Sequence, residues 1–338
     1  MQIVLNHYGL SESDCTIEPL GKGLINTTWL IKAGEKKYVL QKINHRVFND
    51  PWDIAFNIRL LANYLQQHNP DYLFTSPVQT LDGNDMVQTG KGYFRMFVYV
   101  NNSHTIDVAE KPEQAYEAAK QFGRFTRSLA GFDANELKIT LPDFHNLSLR
   151  YQQFENALQN GNSQRIQQAS ELISFIHQYK NIVNEFENSK KHLKPRCTHH
   201  DTKISNVLFD ENNKGLCVID LDTVMPGYFI SDVGDMMRTY LCPVSEEEKD
   251  FSKIHVRKEF YDAIIDGYLS EMGGELSATE KKYFHYAGEF MIYMQAIRFL
   301  TDHLNNDVYY GAKYEGHNFI RAGNQVTLLE KYNEINPG

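Results

Sequence analysis

Four polar side chains in one short segment have the types and the spacing that phosphoryl transfer requires. Asp201 is followed by Lys203 and Asn206, and Asp220 ends the next apolar run. Transfer of a phosphoryl group to a hydroxyl needs an acceptor for the proton, ligands for Mg²⁺ and a cation against the developing charge. We therefore predict that Asp201 is the catalytic base, that Lys203 neutralises the transferring phosphate, and that Asn206 and Asp220 bind Mg²⁺.

The same segment allows other interpretations. A turn with satisfied polar groups would explain the His-His-Asp run without any chemistry, and paired acids after a strand could cap a helix. A metal hydrolase could use His199, His200 and Asp220 as ligands, but it would leave Lys203 and Asn206 without a role. Both fragments occur in the right order on either side of a predicted hairpin, which favours a kinase site.

The elements that must position these residues indicate an α+β fold. Residues 15–100 are rich in strand-type runs, and the pattern becomes helical from about residue 110. We predict a protein-kinase-like fold of two lobes: a small β-rich nucleotide-binding lobe at 1–100, and a larger helical lobe at 101–338 that binds the acceptor and carries the catalytic residues. The predicted elements are strands at 25–32, 37–43, 86–88 and 93–100, a hairpin of 206–209 with 216–221, and helix starts at Pro51, Pro112, Ser245 and Ser277.

Glycines and one lysine are the candidates for binding a nucleotide. Gly21 and Gly23 precede a predicted strand and are followed by Asn26. Glycines there would let backbone N–H groups approach phosphates, although any tight turn uses them as well. Strand alternation places Leu40 and Lys42 on one face. That arrangement suits an apolar contact to adenine beside a lysine on the phosphates, while a surface role for the lysine stays open.

The nucleotide side has one departure from the usual kinase pattern. We predict that Val100 and the two asparagines after it form the hinge whose backbone recognises adenine. A kinase normally pairs its lysine with a glutamate on the following helix. Residues 51–68 contain no glutamate, and Asp53 and Asn57 are the only candidates there. The partner of Lys42 is therefore open.

An arginine in the C-terminal part of the chain is the candidate for the acceptor side. Arg298 continues an apolar stripe at helical spacing within residues 278–304. A guanidinium on a core-facing line is costly unless it is paired. It would form a buried salt bridge, for example with Asp302, or it would contact the acceptor or the transferred phosphate. Tyr309 and Tyr310 follow, and either helix packing or stacking on a sugar would explain them.

The composition excludes several classes of partner. The chain of 338 residues carries a net charge of −9 at pH 7, so it lacks the basic excess that nucleic-acid binding needs. No run approaches the ~18 apolar residues of a membrane helix, and no signal peptide is evident. The four scattered cysteines favour reduced thiols. We expect a cytoplasmic protein without nucleic-acid or membrane partners, and the oligomeric state stays open.

Segments across most of the chain carry a family resemblance. The block THHDTKISNVLFD…LCVIDLDTVMPGYFISDVGDMMRT resembles the aminoglycoside phosphotransferase and choline kinase superfamily. With GKGLINTTWL, YVLQKIN and AIRFLTDHLNNDVYY, the chain is most similar to N-acetylhexosamine 1-kinases. The resemblance implies ATP and Mg²⁺ as cofactors, Asp222 and Thr223 beside the acceptor, and an approach of Arg298 to the sugar. For His199 we expect packing against the catalytic loop, and for Asp232 and Asp235 bracing of that loop.

The function implied by the resemblance is phosphorylation of the anomeric hydroxyl of N-acetylglucosamine or N-acetylgalactosamine, which gives the sugar 1-phosphate. A kinase of choline, ethanolamine or an aminoglycoside is the alternative. A strongly cationic acceptor would need several acids in its pocket, and Asp222 meets that need only partly. A non-catalytic nucleotide-binding regulator is a third interpretation, and only the missing helix glutamate favours it.

Overall fold

The chain folds as a strand-rich lobe followed by a larger helical part. The structure, a computed structural model, describes residues 1–21 and 25–335. In the small lobe, five antiparallel strands form one sheet in the order β1-β2-β3-β5-β4. This arrangement confirms the predicted fold class. The strands are β1 Cys15–Pro19, β2 Thr27–Ala33, β3 Lys36–Ile43, β4 Val87–Thr89 and β5 Gly92–Val98.

Local sequence signals explain the main elements of the small lobe. The predicted hairpin between β2 and β3 turns at Gly34, whose φ of 60° lies in the left-handed region that glycine tolerates. The helix after β3 begins at Pro51, as predicted, and the side chain of Asp50 caps it by accepting a hydrogen bond from the Trp52 N–H at 2.9 Å. The helices of this lobe are α1 Gln2–Asn6 and α2 Pro51–His68.

The larger part consists mostly of helices. Its first helix, α3, starts at Pro112 as predicted. Among the described residues, two short antiparallel strand pairs interrupt the helices, β6 with β9 and β7 with β8, and the second of them is the predicted hairpin. The strands are β6 Arg196–Thr198, β7 Val207–Phe209, β8 Gly215–Val218 and β9 Met225–Gly227. The helices are α3 Pro112–Ser128, α4 Leu147–Asn160, α5 Ser163–Gln168, α6 Ser170–Gln178, α7 Asn181–Ser189, α8 Phe229–Tyr240, α9 Lys258–Met272, α10 Ala278–Lys281, α11 Phe284–Leu304 and α12 His317–Asn333.

Two apolar cores lie on opposite faces of the small lobe's sheet. Leu40 belongs to a small outer core with Val4 and Leu5 of α1. Ile43 belongs to the large core, which continues through Ile54 of α2 into the helical part. Because strand residues alternate between faces, odd-numbered residues of β3 face the helical part and even-numbered residues face α1.

A close contact between two helices holds the centre of the helical part together. α8 packs against α11 at Gly234, where a Cβ atom would overlap the carbonyl oxygen of Ala287 and lie 2.9 Å from Cβ of Met291. Only glycine allows the two backbones to approach this closely. The position matters because α8 also carries the acids that support the candidate site.

The segment after β5 connects the sheet to the helical part. Tyr99 still donates its N–H to the carbonyl of Lys37 at 3.0 Å, and the chain then turns at Asn102, whose φ is 55°. His104 pairs with Phe209 through two backbone hydrogen bonds of 2.9 Å. We retain the division at residues 100 and 101 as a proposal for the lobe boundary. None of the helices in the described ranges is both long and apolar enough for a membrane span.

Candidate active site

The catalytic loop is held by a buried carboxylate of α8. Asp232 accepts the backbone N–H of His199 at 3.1 Å and that of His200 at 2.8 Å, and its own carbonyl accepts the hydroxyl of Thr202 at 2.7 Å. Asp232 is 1% exposed, and burial raises its pKa to about 7. Two backbone donors on one carboxylate fix the start of the loop, as the sequence predicted for this residue.

A second acid of the same helix holds the middle of the loop. Asp235 accepts the Thr202 N–H at 2.9 Å and pairs with Arg238 at 3.0 Å. The hydroxyl of Tyr240 donates to the Thr202 carbonyl. Both backbone groups of Thr202 are therefore bonded to α8, and the predicted bracing by Asp235 is also observed.

His199 packs in the core of the helical part. Its side chain is fully buried, and its ring meets that of Phe122 edge-on at 5.1 Å. Nε2 lies 3.0 Å from the Ile219 carbonyl and must donate to it, which leaves Nδ1 to accept the Asp201 N–H at 3.4 Å. Burial lowers the pKa of His199, so it stays neutral. Its role is to link the loop to the segment before Asp220.

Asp201, Lys203 and Asn206 form a compact polar group at the loop's tip. Lys203 Nζ lies 2.9 Å from Asp201 Oδ1, and Asn206 Nδ2 donates to Asp201 Oδ2 at 3.1 Å and to its carbonyl at 2.9 Å. Burial alone would raise the pKa of Asp201, but the charge and hydrogen bond of Lys203 outweigh it and lower that pKa. Asp201 is therefore ionised near neutral pH and has lone pairs available for a proton.

Asp220 stands at a strained position in the turn after β8. Its φ is 60°, a left-handed conformation that is unfavourable for residues with a side chain. Water reaches its side chain, but the surrounding protein and the charges of Asp222 and Asp201 raise its pKa to about 7. Within the described residues, Asp220 has no hydrogen-bond or ion-pair partner. Such an acid, beside an asparagine whose Oδ1 is free of the loop contacts, fits Mg²⁺, which needs only one or two protein carboxylates when phosphates complete its shell.

Asp222 and Thr223, which were expected beside the acceptor, are bonded to other parts of the protein. Asp222 is 2% exposed, accepts Asn26 Nδ2 at 2.8 Å and lies 2.5 Å from Arg95 Nη2, so it faces the small lobe. Thr223 donates its hydroxyl to the His199 carbonyl at 2.6 Å. The turn begun at Asp220 directs both side chains to partners within the protein, and their contact with an acceptor stays a prediction.

The nucleotide-side residues are described only in part. Gly21 has a φ of 73°, in the left-handed region, while Gly23 lies outside the described residues. Asn26 joins the lobes through Asp222 and accepts the Asn44 N–H at 3.0 Å. In the segment predicted to be the hinge, the carbonyl of Val100 accepts the Ser103 hydroxyl at 2.7 Å. Roles of these residues toward a nucleotide stay predictions.

Lys42 does not face the candidate site. It pairs across the sheet with Phe94, which belongs to the outer core, whereas its neighbour Gln41 pairs with Arg95 on the face toward the helical part. The shared face of Leu40 and Lys42 was predicted correctly, but that face is turned toward α1. Neither helix candidate contacts Lys42 in the described structure. Asn57 bonds instead to the backbone of Lys138, at 2.8 and 2.9 Å, and to the Val224 carbonyl, at 3.1 Å.

Arg298 is surrounded by aromatic rings. Its guanidinium carbon is 5.5 Å from the ring centre of Tyr310, 5.8 Å from that of Phe144 and 5.9 Å from that of Tyr309. The salt bridge suggested with Asp302 does not form, because Asp302 accepts the N–H groups of Tyr309 and Tyr310. In the part of the chain that is described, Arg298 has no acid within 4.0 Å.

Further cations surround this aromatic group. Burial lowers the pKa of His145, and the charges of His200, Arg298, Arg238 and Arg150 lower it further. Arg238 in turn is paired with Glu246 at 2.8 Å. Asp201 raises the pKa of Lys203, and the charge of Arg238 acts against that rise. Arg150 bonds only to neutral oxygens among the described residues. The wall beside the catalytic loop is thus cationic and aromatic, with its acids already paired.

The buried pair of His145 and His200 predicts a pH-dependent stability. Burial lowers the pKa of His200 to about 4, while an unfolded histidine has a pKa near 6.5. Between these values only the unfolded state binds the proton, so stability falls as the pH drops below about 6.5. We expect the free energy of unfolding to decrease by about 2 kcal/mol from pH 7 to pH 5 through this group.

Urea unfolding of the His200→Gln variant tests this expectation. The variant should lose that part of the pH dependence, whatever its stability at pH 7. His177 is 45% exposed beside Glu155, so His177→Gln serves as the control and should keep the dependence of the unaltered protein. Equal pH dependence in the His200→Gln variant and the unaltered protein would show that His200 does not titrate as its burial implies.

The hydrolase interpretation has no ligand set in the structure. His199 and His200 are buried, and within residues 1–21 and 25–335 no group of three or more His, Cys, Asp or Glu side chains is placed to hold a metal ion. The site residues that the sequence analysis missed are Arg95, Gln41, Phe144 and Arg150. A signal existed only for Arg95, which is a charged residue in the middle of an apolar strand.

Comparison with known structures shows proteins of similar fold. The fold is similar to that of an aminoglycoside phosphotransferase from Alicyclobacillus acidocaldarius, with a TM-score of 0.65 and 12% identity over 99% of this chain and 97% of the other. It is also similar to a microcompartment-associated aminopropanol kinase, with a TM-score of 0.64 and 18% identity over 98% and 96% of the two chains. A third similar structure is spectinomycin phosphotransferase in complex with ADP and spectinomycin, with a TM-score of 0.59 and 14% identity over 98% and 96%.

Sequence identities this low establish only a likeness of fold. A sequence-family model establishes the family of the chain. The model of the APH family, described as a phosphotransferase enzyme family, matches residues 16–276. This range contains β2 to β5 of the sheet, the segment predicted to be the hinge, and Asp201 with the acids around it. The chain therefore belongs to the phosphotransferase enzyme family.

Proposed function

We propose that the protein is an ATP- and Mg²⁺-dependent kinase that phosphorylates the anomeric hydroxyl of an N-acetylhexosamine to give the sugar 1-phosphate. The observation that carries the kinase part is the group of Asp201, Lys203 and Asn206 beside Asp220. The sugar part is supported by the cationic, aromatic wall and by the resemblance to N-acetylhexosamine 1-kinases. All four cysteines are unpaired, which supports a place in the cytoplasm.

Asp201 acts as the base in this proposal. Its carboxylate is held by Asn206 and Lys203, so one oxygen is fixed toward the acceptor hydroxyl and takes its proton as that oxygen attacks phosphorus. Lys203, 2.9 Å away, is close enough to move its charge from the carboxylate to the transferring phosphoryl group. A base that is already ionised at neutral pH contributes about 10²- to 10⁴-fold to such a reaction.

Asn206 and Asp220 are the residues that would hold a magnesium ion. When bound, the ion supplies positive charge against the phosphate oxygens. Burial by the surrounding protein raises the pKa of Asp220, the charges of Asp222 and Asp201 raise it further, and a cation would relieve that repulsion. The nucleotide would lie between these acids and the hinge after β5. The ADP complex of spectinomycin phosphotransferase, a protein of similar fold, supports a nucleotide of this kind.

The charge of the acceptor wall distinguishes between acceptor classes. Choline, ethanolamine and aminoglycosides are cations. At an effective dielectric constant of ~20, a cation roughly 6 Å from one unpaired guanidinium is repelled by about 3 kcal/mol, or about 100-fold in affinity. Arg298 and Arg150 lack acid partners in the described chain, so they disfavour such acceptors. Their N–H groups suit the neutral oxygens of a sugar, and aromatic rings suit its faces.

Turnover of a panel of acceptors tests the proposal. The protein with ATP and Mg²⁺ is given N-acetylglucosamine, N-acetylgalactosamine, choline, ethanolamine and kanamycin, and phosphorus NMR identifies each product. We expect an anomeric phosphate from the hexosamines and no product from the amines. The Arg298→Met variant should raise KM for the hexosamine about 10- to 100-fold, because a charged hydrogen bond contributes about 1.5–3 kcal/mol.

Other outcomes would point to the remaining candidates. Phosphorylation of an amine alone would show that the wall does not govern acceptor choice, and the amine-kinase alternative would stand. Consumption of no ATP with any acceptor would favour the nucleotide-binding regulator. The paired acids in the wall, Glu246 with Arg238 and Asp235 with Arg238, are the features that a cationic acceptor would have to use.

A further inference from the structure

An arginine of β5 lies on the face of the sheet that is turned toward the helical part, where the expected lysine of β3 is not found. Arg95 is 1% exposed and pairs across the sheet with Gln41. Gln41 Oε1 accepts Arg95 Nε at 3.1 Å and Nη2 at 2.8 Å, and the ring of Phe97 lies 5.0 Å from the guanidinium carbon. The side chain is therefore fixed from two sides on the face toward the helical part.

The guanidinium points at the acid cluster of the candidate site. Nη2 lies 2.5 Å from Asp222 Oδ1, but that oxygen accepts no aligned hydrogen bond. The two groups are thus held together as a buried ion pair. The charge of Arg95 also acts on Asp220, whose pKa it lowers against the larger effects that raise it. Arg95 is accordingly a cation that contacts Asp222 and acts on Asp220, the acid that would hold the metal.

One nitrogen of this arginine has no partner in the described structure. Nη1 is buried and makes no hydrogen bond among the described residues. A buried charged donor without a partner is unfavourable by about 1–3 kcal/mol. Guanidinium groups bind phosphate oxygens through charged N–H donors, and Nη1 is the donor of Arg95 that suits this role.

We propose that Arg95, held by Gln41, binds the nucleotide phosphates in place of a lysine on β3. This inference rests on the proposed function, because it assigns a residue to the nucleotide of that same site. A residue on β5 reaches Asp222 of the candidate site from the strand beside β3, since Gln41 and Arg95 are opposite each other in the sheet. Lys42, one residue further along β3, lies on the other face.

The same assignment explains the missing helix glutamate. In a typical kinase the β3 lysine needs a carboxylate on the first helix to orient it. Here Gln41 and Asp222 orient the cation, so α2, the helix after β3, needs no acid. Asn57, the buried polar residue of that helix, is free to bond the backbone near Lys138 and Val224 instead.

Calorimetric titration of the purified protein with adenosine, ADP and ATP in the presence of Mg²⁺ tests the proposal without any turnover. We expect Arg95→Met to raise Kd for ATP about 10- to 100-fold, the effect of losing a charged hydrogen bond, and to leave Kd for adenosine unchanged. Lys42→Met is the matched control, because it removes the same charge from the opposite face. It should leave Kd for ATP unchanged.

A double variant that moves the positive charge from β5 to β3 controls for misfolding of Arg95→Met. The double variant Gln41→Lys with Arg95→Gln keeps one cation on the same face, and it should regain most of the ATP affinity. If Lys42→Met weakens ATP binding and Arg95→Met does not, the assignment of Arg95 is wrong. If Arg95→Met weakens adenosine and ATP equally, Arg95 acts on the fold and the assignment is also wrong. If the unaltered protein binds no ATP, the proposed function itself fails.

Discussion

Replacement of Asp201 by Asn is expected to lower kcat about 10²- to 10⁴-fold, the usual contribution of a positioned base. The amide is nearly the same size, and its oxygen can still accept the hydrogen bond of Asn206. What the variant loses is a carboxylate that is ionised at neutral pH because Lys203 outweighs its burial. The effect should fall on kcat rather than on Kd for ATP, since Asp201 acts on the acceptor hydroxyl.

Steady-state rates and ATP titrations of the same preparation separate these two effects. Asp262→Asn is a suitable control, because that aspartate is 52% exposed and, among the described residues, pairs only with Lys258 at the surface. It should leave both kcat and Kd unchanged. A variant at Asp201 that turns over at the normal rate would remove the base from the mechanism, whichever acceptor is used.

Replacement of Gly234 by Ala is expected to destabilise the protein by about 3 kcal/mol, the upper part of the range for overpacking. The added Cβ would overlap the Ala287 carbonyl, which belongs to the backbone of α11 and cannot rotate away. The two helices must separate, and α8 carries Asp232 and Asp235 on either side of this glycine. We therefore expect the catalytic loop to lose its support and activity to fall together with stability.

Thermal and urea unfolding measure the loss, with a second glycine as the comparison. Gly274 lies in a turn where an added Cβ meets nothing within 4 Å. Gly274→Ala should be neutral or slightly stabilising, because alanine restricts the unfolded chain. If Gly234→Ala is as stable as Gly274→Ala, the close approach of α8 and α11 is not a constraint on the fold.

Sequence predicted best those features whose causes are local. Asp50 before Pro51 marks a helix start, and the structure confirms the cap. Ser277 and Glu280 form the predicted capping box. Ser245 and Glu248 have the same spacing but form no helix there. Glu248 accepts the N–H groups of Lys249 and Asp250 in a turn, and the next long helix starts at Lys258. Spacing alone cannot show which partner a side chain takes.

The candidate site shows the same division between local and distant contacts. Asp201, Lys203 and Asn206 are close in sequence, so their meeting was predictable. The direction of Asp222 was not, since it depends on Asn26 and Arg95 in the other lobe. Likewise, alternation placed Lys42 with Leu40 correctly. It could not say which face of the sheet would meet the helical part, because that depends on where α1 and α2 pack.

The contact at Gly234 has a consequence for how the protein is made. A ribosome delivers the catalytic loop before it delivers α11, the helix against which α8 must pack. Domains generally fold as units during synthesis. Until α11 has emerged, the acids of α8 lack the surface that fixes them, and the nascent loop is exposed. We therefore expect the helical part to fold late in translation as one unit, with ribosome-bound chains that end before α11 remaining sensitive to proteases.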